Sequence, residues 1–249
     1  MARVVLTQPQ PRLAGLARAL RARGHEVAEC PFSRLEPLEV PGLVERIGSV
    51  DWVIAVSPAA IGFLFDALCD DWSSAAGLAL VGPGSQRALE ARALKRAPPR
   101  IVVPDQAPWD ASALLRRRPF AAPAGLRCLV VRGEDGREDW IHSLRSAGAA
   151  VEVASLYRSA TMRPADDQVQ LLQAWMRDGH RVHWLFTQTS TLQHSLDLLG
   201  GALPDGCGRS DHAWVIHPRI AEAAARLGFA SVRVIEPGPE ALAAALESA

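Results

Sequence analysis

The sequence predicts an α/β protein with two parallel β-sheets, and three features of the chain lead to this fold class. Short apolar runs alternate with amphipathic stretches along the 249 residues, as in parallel strands joined by helices. Two of the runs, residues 51–56 and 183–186, are apolar without alternation after a polar first residue, which is typical of strands that helices cover on both faces. Similar blocks also recur in the same order at offsets of roughly 125 to 135 residues, which favours two homologous domains.

The first elements form a β-α-β unit. Residues 4–7 are an apolar strand, and the next stretch places Leu13, Leu16 and Leu20 on one face of a helix. Gly24 is suited to end that helix, and residues 25–30 form a second strand. Residues 32–40 contain a proline and lack helical periodicity, so they are predicted to be a linker.

Strands and helices then alternate to the end of the chain. Strands are expected at 51–56, 78–81, 100–103, 127–132, 151–157, 183–186, 212–216 and 231–235. Helices are expected at 43–47, 58–69, 86–94, 109–117, 137–147, 166–177, 189–199, 218–227 and 239–246. Residues 158–164 read as a second connector.

The ten predicted strands make five for each lobe, which is a flavodoxin-like number. The strand count fits two contiguous halves, and it also fits a discontinuous first lobe. The positions of the connectors favour the second division. We therefore expect residues 1–31 and 160–249 to form one lobe and residues 38–154 the other, with 32–37 and 155–159 as connectors.

Three pairs of blocks carry the internal repeat. They match residues 4–6 with 130–131, 51–54 with 183–186, and 80–83 with 215–218. In this alignment Trp52 corresponds to Trp184. Any α/β chain resembles itself at some offset, but three blocks in one order favour duplication.

Composition excludes several classes of function. Lys+Arg and Asp+Glu both total 27, and this balance argues against nucleic acid or an anionic membrane as partner. The four cysteines form no CxxC pair and the histidines lack metal-ligand spacing, so neither a disulfide framework nor a metal site is expected. With neither a signal segment nor a membrane-length apolar run, a soluble cytoplasmic protein is expected.

Small polar residues follow several of the predicted strands. Ser57 precedes Pro58, a pairing typical of a helix N-cap followed by proline at the first helical position. Ligands bind at the carboxyl edge of open α/β sheets, where helix N-termini favour anions. Equivalent positions are Gly82, Gly84, Ser85, Arg132, Gly133, Thr187, Thr189 and Ser190. For each hydroxyl the alternative is a simple helix cap, and for Arg132 and the nearby Arg137 it is a solvated surface charge.

The chain resembles the uroporphyrinogen-III synthase family over nearly its whole length. The motifs that carry this resemblance are Leu6-Thr7-Gln8-Pro9, residues 52–61, Val81-Gly82-Pro83-Gly84-Ser85, Val131-Arg132-Gly133 with Gly136-Arg137, Leu156-Tyr157-Arg158 and Trp184-Leu185-Phe186-Thr187. Each motif is short, and their order and spacing make the match. The resemblance implies a bilobal fold of two flavodoxin-like domains, a two-stranded connection and a wide cleft.

The implied reaction converts hydroxymethylbilane, a linear tetrapyrrole, into uroporphyrinogen III with loss of water and inversion of the last pyrrole ring. The family uses neither metal nor organic cofactor, and a monomer is expected. Tyr157, the one tyrosine of the chain, occupies the family's tyrosine position, where its phenol can bond or protonate the departing hydroxyl. The alternative is a half-buried strand tyrosine.

The substrate's eight carboxylates imply a binding role for the small polar residues named above, together with Arg219. Two positions depart from the family pattern. Gln8 stands where arginine is usual, and Ile216-His217-Pro218-Arg219 replaces a Gly-x-x-Thr turn. That replacement removes a close backbone approach and a hydroxyl, and Arg219 is the candidate substitute.

Two further functions are compatible with the residues. One is a non-catalytic module that binds tetrapyrroles or polyanions on the same fold. The other is a nucleotide-binding enzyme, although Gly82-Pro83-Gly84 lacks the full GxGxxG pattern.

Overall fold

A computed structural model describes residues 1–10, 12–106, 109–136, 138–178, 181–199, 211–236, 242 and 244–246. The strands are β1 (Arg3–Leu6), β2 (Glu26–Glu29), β3 (Ser33–Pro37), β4 (Trp52–Ala55), β5 (Gly77–Leu80), β6 (Ile101–Val102), β7 (Arg127–Gly133), β8 (Ala150–Thr161), β9 (Val182–Phe186), β10 (His212–Val215) and β11 (Ser231–Val234). The helices are α1 (Arg12–Arg21), α2 (Leu43–Gly48), α3 (Pro58–Ala67), α4 (Pro83–Glu90), α5 (Ala111–Leu115), α6 (Asp139–Ser146), α7 (Asp166–Arg177), α8 (Thr189–Leu199) and α9 (Pro218–Arg226).

The chain divides into two compact units. The first comprises Met1–Leu35 with Ala160–Ala249, and the second comprises Glu36–Ser159. Each unit contains one sheet with helices on both faces, so the predicted α/β class with two parallel sheets is confirmed. Within the described ranges, none of the helices has the length and apolar character needed to cross a membrane.

The sheet of the first unit has the strand order β11-β10-β9-β1-β2 and is parallel throughout. Successive residues of β1 enter different cores, because side chains alternate across a strand. Val5 packs with Trp184 and residues of α7 and α9, whereas Val4 packs with Leu13 and other residues of α1. Both faces of this sheet are therefore buried under helices, which explains the unbroken apolar runs in the sequence.

The sheet of the second unit has the order β3-β8-β7-β4-β5-β6. Five of its strands are parallel. The sixth, β3, runs antiparallel to β8, because Leu38 donates to the carbonyl of Leu156 while Met162 donates to that of Phe32. One face of this sheet packs on α2, α3 and α4, and the other packs on α5 and α6.

The two units have the same spatial order of strands. The chain begins each sheet at a different strand of that order. The order β2-β1-β9-β10-β11 of the first unit corresponds to β8-β7-β4-β5-β6 of the second, and the first of these is the flavodoxin-like order 2-1-3-4-5. The β1-α1-β2 unit thus matches β7-α6-β8. The predicted repeat therefore corresponds to equivalent strands.

The repeat alignment of the two tryptophan strands is wrong by one residue. Trp52 points to the face covered by α5 and α6, whereas Trp184 points to the face covered by α7 and α9. The structural counterpart of Trp184 is Val53, which packs with α3. A shift of one residue reverses the face of every side chain in a strand, so the two tryptophans are not equivalent.

Several element boundaries also differ from the sequence prediction. The expected linker at 32–40 contains a strand, β3, and β8 continues through Thr161, beyond the expected end at 157. The extra strand raises the number within the described residues from ten to eleven. The helix expected at 86–94 begins earlier, at Pro83. Of the helix expected at 239–246, residues 242 and 244–246 are described, and they are helical.

A buried carboxylate ties β9 to the start of β10. Asp211 is 2% exposed. One of its oxygens accepts the backbone N–H of Val182 at 3.2 Å, and the other accepts the indole N–H of Trp184 at 3.0 Å. Both donors are also buried, so the carboxylate satisfies groups that have lost water.

A buried histidine, His183, lies in β9 between the two residues that donate to Asp211. The ring of His183 packs between His212, at 5.0 Å between centroids, and Trp214, at 4.7 Å. Burial, helped by the charges of His212, His25 and Arg181, lowers the pKa of His183 from 6.5 to about 4. The folded protein therefore favours the neutral imidazole.

The free energy of unfolding is expected to fall as the pH drops from about 6.5 towards 4, by on the order of 2 kcal/mol after allowance for residual solvent contact. In this window the unfolded chain takes up a proton on His183 and the folded chain does not. Above it, both states are neutral at this residue. Urea unfolding between about pH 4.5 and 7.5 measures the slope, which His183→Leu should reduce. His142→Leu, at an exposed histidine of α6, should leave the slope unchanged; equal slopes for His183→Leu and the wild type would contradict the assignment.

Candidate active site

Four residues form a row at the carboxyl edge of the second sheet. They follow or end β5, β4 and β7 or lie on β8, which are four neighbouring strands, and they are Gly82, Ser57, Gly133 and Tyr157. The first three each lie two residues beyond partners that pair across the sheet, and Gly133 pairs with Tyr157 after a register shift in β7. The structure thus brings together four of the residues that the sequence singled out.

The row crosses the point where the strand order reverses. From β4 the chain proceeds through β5 to β6 on one side, whereas β7 and β8 lie on the other side of β4. The connections that follow β4 and β7 therefore diverge between Ser57 and Gly133. In open α/β sheets ligands bind outside the carboxyl ends of the strands at such a point.

Ser57 connects a helix cap to the tyrosine of the row. Its hydroxyl oxygen accepts the backbone N–H of Ala60 at 3.0 Å as N-cap of α3, and Pro58 follows as the sequence predicted. The same oxygen lies 3.0 Å from the phenol oxygen of Tyr157, and either group can donate in this bond. The Tyr157 ring stacks on Phe63 with centroids 4.9 Å apart. The position of the phenol is therefore fixed by the stacking of its ring on Phe63 and by the hydrogen bond between its hydroxyl and Ser57.

Two glycines of the row are required by close aromatic neighbours. A Cβ on Gly133 would lie 2.7 Å from Cε2 of Tyr157, and a Cβ on Gly82 would lie 2.9 Å from Cβ of Trp109. Gly82 has an extended backbone, with φ 173°, so its conformation alone does not demand glycine. Gly133 leaves room for the ring of Tyr157, and Gly82 leaves room for Cβ and Cγ of Trp109.

The N-termini of α3 and α4 lie next to each other beside the row. A Cβ on Gly84, in the first turn of α4, would lie 3.4 Å from Cγ of Pro58 at the start of α3. The positive ends of two helix dipoles thus reach the same part of the edge, which favours anions. Ser85 is 2% exposed, so its side chain is buried at this end of α4.

Arg132 faces inward, where the sequence predicted a partner for substrate carboxylates. It is 7% exposed, and its guanidinium donates to the carbonyl of Gly136 and, at 2.6 Å, to a carboxylate oxygen of Glu138. A Cβ on Gly136 would lie 2.6 Å from Cδ of Arg132. The arginine therefore closes the turn after β7. Arg137, its predicted companion, lies outside the described residues.

The remaining candidates belong to the first unit and follow β9 and β10. Thr187 is partly exposed just after β9, and Thr189 is exposed at the first position of α8. Ser190 is in the first turn of the same helix, but its side chain is outside the described part of the structure. Arg219 is exposed in the first turn of α9.

His217 is a helix cap that the sequence analysis missed. Its Nδ1 accepts the backbone N–H of Arg219 at 3.1 Å, and it precedes Pro218 as Ser57 precedes Pro58. At this departure from the Gly-x-x-Thr pattern, the turn thus carries an imidazole acceptor at the position that corresponds to Gly82 in the repeat. Its position before a proline at N1 was the signal that could have found it.

The family motif at the start of the chain holds two strands together. Thr7 follows β1 and is fully buried, and its hydroxyl donates to the carbonyl of Leu185 in β9 at 2.6 Å. Gln8, where the family usually has arginine, is 7% exposed. These residues lie where the strand order of the first sheet reverses, between β1 and β9.

A groove of about 820 Å³ lies elsewhere on the second unit, between residues 37–45 and α3. Its lining includes three carboxylates, Glu39, Glu45 and Asp66, over an apolar floor that contains Phe63 and Leu156. A polyanion would meet negative charge there. The groove is therefore unsuited to the predicted substrate.

The fold and its edges define a class of protein: a duplicated flavodoxin-like α/β protein whose strand ends and helix N-termini favour an anionic small molecule. A family model described as "HEM4: Uroporphyrinogen-III synthase HemD" matches residues 14–244. The chain therefore belongs to the uroporphyrinogen-III synthase family, the enzymes that cyclise hydroxymethylbilane in tetrapyrrole biosynthesis.

Two solved structures have the same fold over the full chain. The uroporphyrinogen-III synthetase of Helicobacter pylori is 14% identical, with 100% of both chains covered and a TM-score of 0.62. A mutant uroporphyrinogen III synthase of Thermus thermophilus is 17% identical, with 100% of this chain and 98% of that chain covered and a TM-score of 0.53. The sequence resemblance to this family is confirmed.

Proposed function

We propose that this protein converts hydroxymethylbilane into uroporphyrinogen III, with loss of water and inversion of the terminal pyrrole ring, at the carboxyl edge of the second sheet. The observation that carries this assignment is the 3.0 Å contact between the hydroxyl of Ser57 and the phenol of Tyr157. It lies where the strand order reverses, beside the N-termini of α3 and α4. The site offers a positioned proton donor and positive helix ends, and this chemistry needs little more.

The first step is loss of the substrate's hydroxyl group. The lone pair of the adjacent pyrrole nitrogen expels the hydroxyl, the C–O bond breaks, and the proton of Tyr157 converts the leaving group to water. An electron-deficient protonated azafulvene remains beside the phenolate of Tyr157. Because Ser57 already accepts from the N–H of Ala60, its own O–H is available to donate to the phenolate that forms. The hydrogen bond that held the phenol then stabilises the anion.

The second step is ring closure with inversion. The substituted carbon of the terminal pyrrole attacks the azafulvene methylene, forming a spiro intermediate that fragments and closes the other way round. The proton released when the last pyrrole regains aromaticity returns to Tyr157. Overall, one molecule of hydroxymethylbilane gives one molecule of uroporphyrinogen III and one molecule of water. The protein's main task is to hold the chain so that direct closure is disfavoured.

The substrate's carboxylates are assigned to the helix ends and hydroxyls. In the second unit these are Ser57, Gly82, Gly84, Ser85 and Gly133, with Arg132 acting through the turn it closes. In the first unit they are Thr187, Thr189, Ser190 and Arg219. An anion at a helix N-terminus gains about 0.3–1 kcal/mol, so affinity needs several such contacts. On the basis of family membership we expect the protein to act as a monomer in the cytoplasm, without metal or organic cofactor.

Incubation of the protein with hydroxymethylbilane, followed by separation of the ring isomers, tests the proposal. Uroporphyrinogen III is the expected main product, against type I in buffer without protein. Type I alone, formed at the buffer rate, would contradict the assignment. If the tetrapyrrole bound without turnover, the protein would instead be a binding module on the same fold.

A further inference from the structure

Trp109 lies at the edge of the second sheet next to the row. Its Cβ would be 2.9 Å, and its Cγ 3.5 Å, from a Cβ placed on Gly82, so the tryptophan rests directly on the glycine backbone at the N-cap of α4. Gly82 is the neighbour of Ser57 across the β5–β4 pair. The side chain of Trp109 therefore begins beside the end of β5, next to the strand β4 that Ser57 follows.

The exposure of Trp109 sets it apart from the other tryptophans. Its exposed fraction is 46%, whereas five of the seven tryptophans are no more than 5% exposed: Trp52, Trp72, Trp175, Trp184 and Trp214. Leaving a large aromatic side chain half in water forgoes much of the free energy of burial. The residue against its Cβ is nevertheless a glycine, Gly82, which leaves room for the side chain.

The half-exposed indole also has no ring-stacking partner among the described residues. In the described part of the chain, no second aromatic ring or guanidinium packs on Trp109, whereas the ring of Tyr157 is covered by Phe63. A rigid aromatic side chain with few rotatable bonds and about half of its surface exposed is suited to stacking a flat ring of a ligand. The adjoining helix end favours negative charge on the same ligand.

We propose that Trp109 stacks on a pyrrole ring of the substrate and positions it beside Gly82 and the N-terminus of α4. This assignment rests on the proposed function. Eight carboxylates on four pyrroles place two on each ring, so a ring stacked on Trp109 brings its carboxylates to the helix end. Trp109 is thus a positioning residue, with no part in the proton transfer.

Steady-state kinetics with hydroxymethylbilane test the inference. Trp109→Ala is expected to raise KM about 3- to 10-fold while kcat changes by less than about 2-fold, the size of one aromatic stacking contact. Trp109→Phe, which keeps a ring, should recover most of the loss. Binding of uroporphyrinogen III, followed by quenching of tryptophan fluorescence, should weaken by the same factor in Trp109→Ala.

Ile101→Ala is the matched control. Ile101 is 47% exposed and begins β6 in register with Leu78 of β5, away from the carboxyl edge. Its KM should equal that of the wild type. An unchanged KM and affinity in Trp109→Ala, or an equal rise in Ile101→Ala, would overturn the stacking assignment while leaving cyclisation intact. If the wild-type protein failed to form uroporphyrinogen III, the proposed function would fall, and the affinity for uroporphyrinogen III would still decide whether Trp109 stacks on pyrrole.

Discussion

Tyr157→Phe is expected to lower the rate of uroporphyrinogen III formation by about 100-fold, the lower range for loss of a positioned general acid. Phenylalanine keeps the ring that stacks on Phe63, so the change removes only the hydroxyl that lies 3.0 Å from Ser57. Without a proton donor the hydroxyl group of the substrate leaves slowly, and spontaneous closure competes. The type I isomer should therefore increase as a share of product. Initial rates and isomer ratios at saturating hydroxymethylbilane measure both effects.

Two variants separate the phenol from its surroundings. Ser57→Ala removes the second partner of the phenol and the N-cap of α3, so a smaller loss of rate, about 10-fold, should accompany about 1 kcal/mol of lost stability. Phe63→Leu removes the stacked ring and retains the phenol, and it should retain most of the activity. A Tyr157→Phe protein with wild-type kcat and isomer ratio would show that the proton comes from elsewhere.

Asp211→Ala is expected to lower the free energy of unfolding by about 3 kcal/mol. The change leaves the backbone N–H of Val182 and the indole N–H of Trp184 buried without their acceptor. Asp211→Asn should cost about 2 kcal/mol, because an amide offers one acceptor oxygen and turns an N–H towards one of the donors. Urea unfolding followed by circular dichroism at neutral pH measures the difference.

Asp105→Asn is the control for Asp211. Asp105 pairs with Arg117 on the surface, and its side chain is 66% exposed. The loss of such a pair should change stability by less than about 0.5 kcal/mol. Equal losses at Asp105 and Asp211 would show that the effect of Asp211 comes from charge alone rather than from unsatisfied buried donors.

The sequence was sufficient for the fold class and for part of the site. Apolar runs and helical spacing depend on neighbouring residues, so they predicted the alternation of strands and helices. The cap at Ser57 was found for the same reason, since serine followed by proline is a local signal. The repeat then gave the correspondence of strands between the two sheets.

The register of the tryptophan strands could not be read from the sequence. Both strands are buried on both faces, so their residues are apolar throughout and no alternation shows which side chain faces which layer. Trp52 and Trp184 looked equivalent because they are large and similarly placed. Only the contacts with α5 and α6, or with α7 and α9, show that they face opposite layers.

The roles of Arg132, Trp109 and β3 depend on contacts that local patterns do not record. Arg132 bonds to the turn that follows its own strand, and nothing in its composition distinguishes this from a surface arginine. The sequence predicts Trp109 in a helix at 109–117, but the helix starts at Ala111, and Cβ and Cγ of Trp109 lie against Gly82. The strand β3 forms because β8 pairs with it, and its own sequence shows no strand alternation.

The antiparallel pairing of β3 with β8 has a consequence for the order of folding. The two pieces of the first unit are separated by about 120 residues of chain, and β1 must find β9 across that gap. Once residues 36–159 have folded, the pairing of β3 with β8 holds the two ends of the inserted segment together, so the gap behaves as a loop of a few residues. The chain between Leu6 and Val182 then counts as about 50 residues in place of about 175, which lowers the entropic cost of pairing β1 with β9 by about 1 kcal/mol. The inserted unit can therefore act as a template that forms first and brings the N-terminal strands to the C-terminal part of the chain.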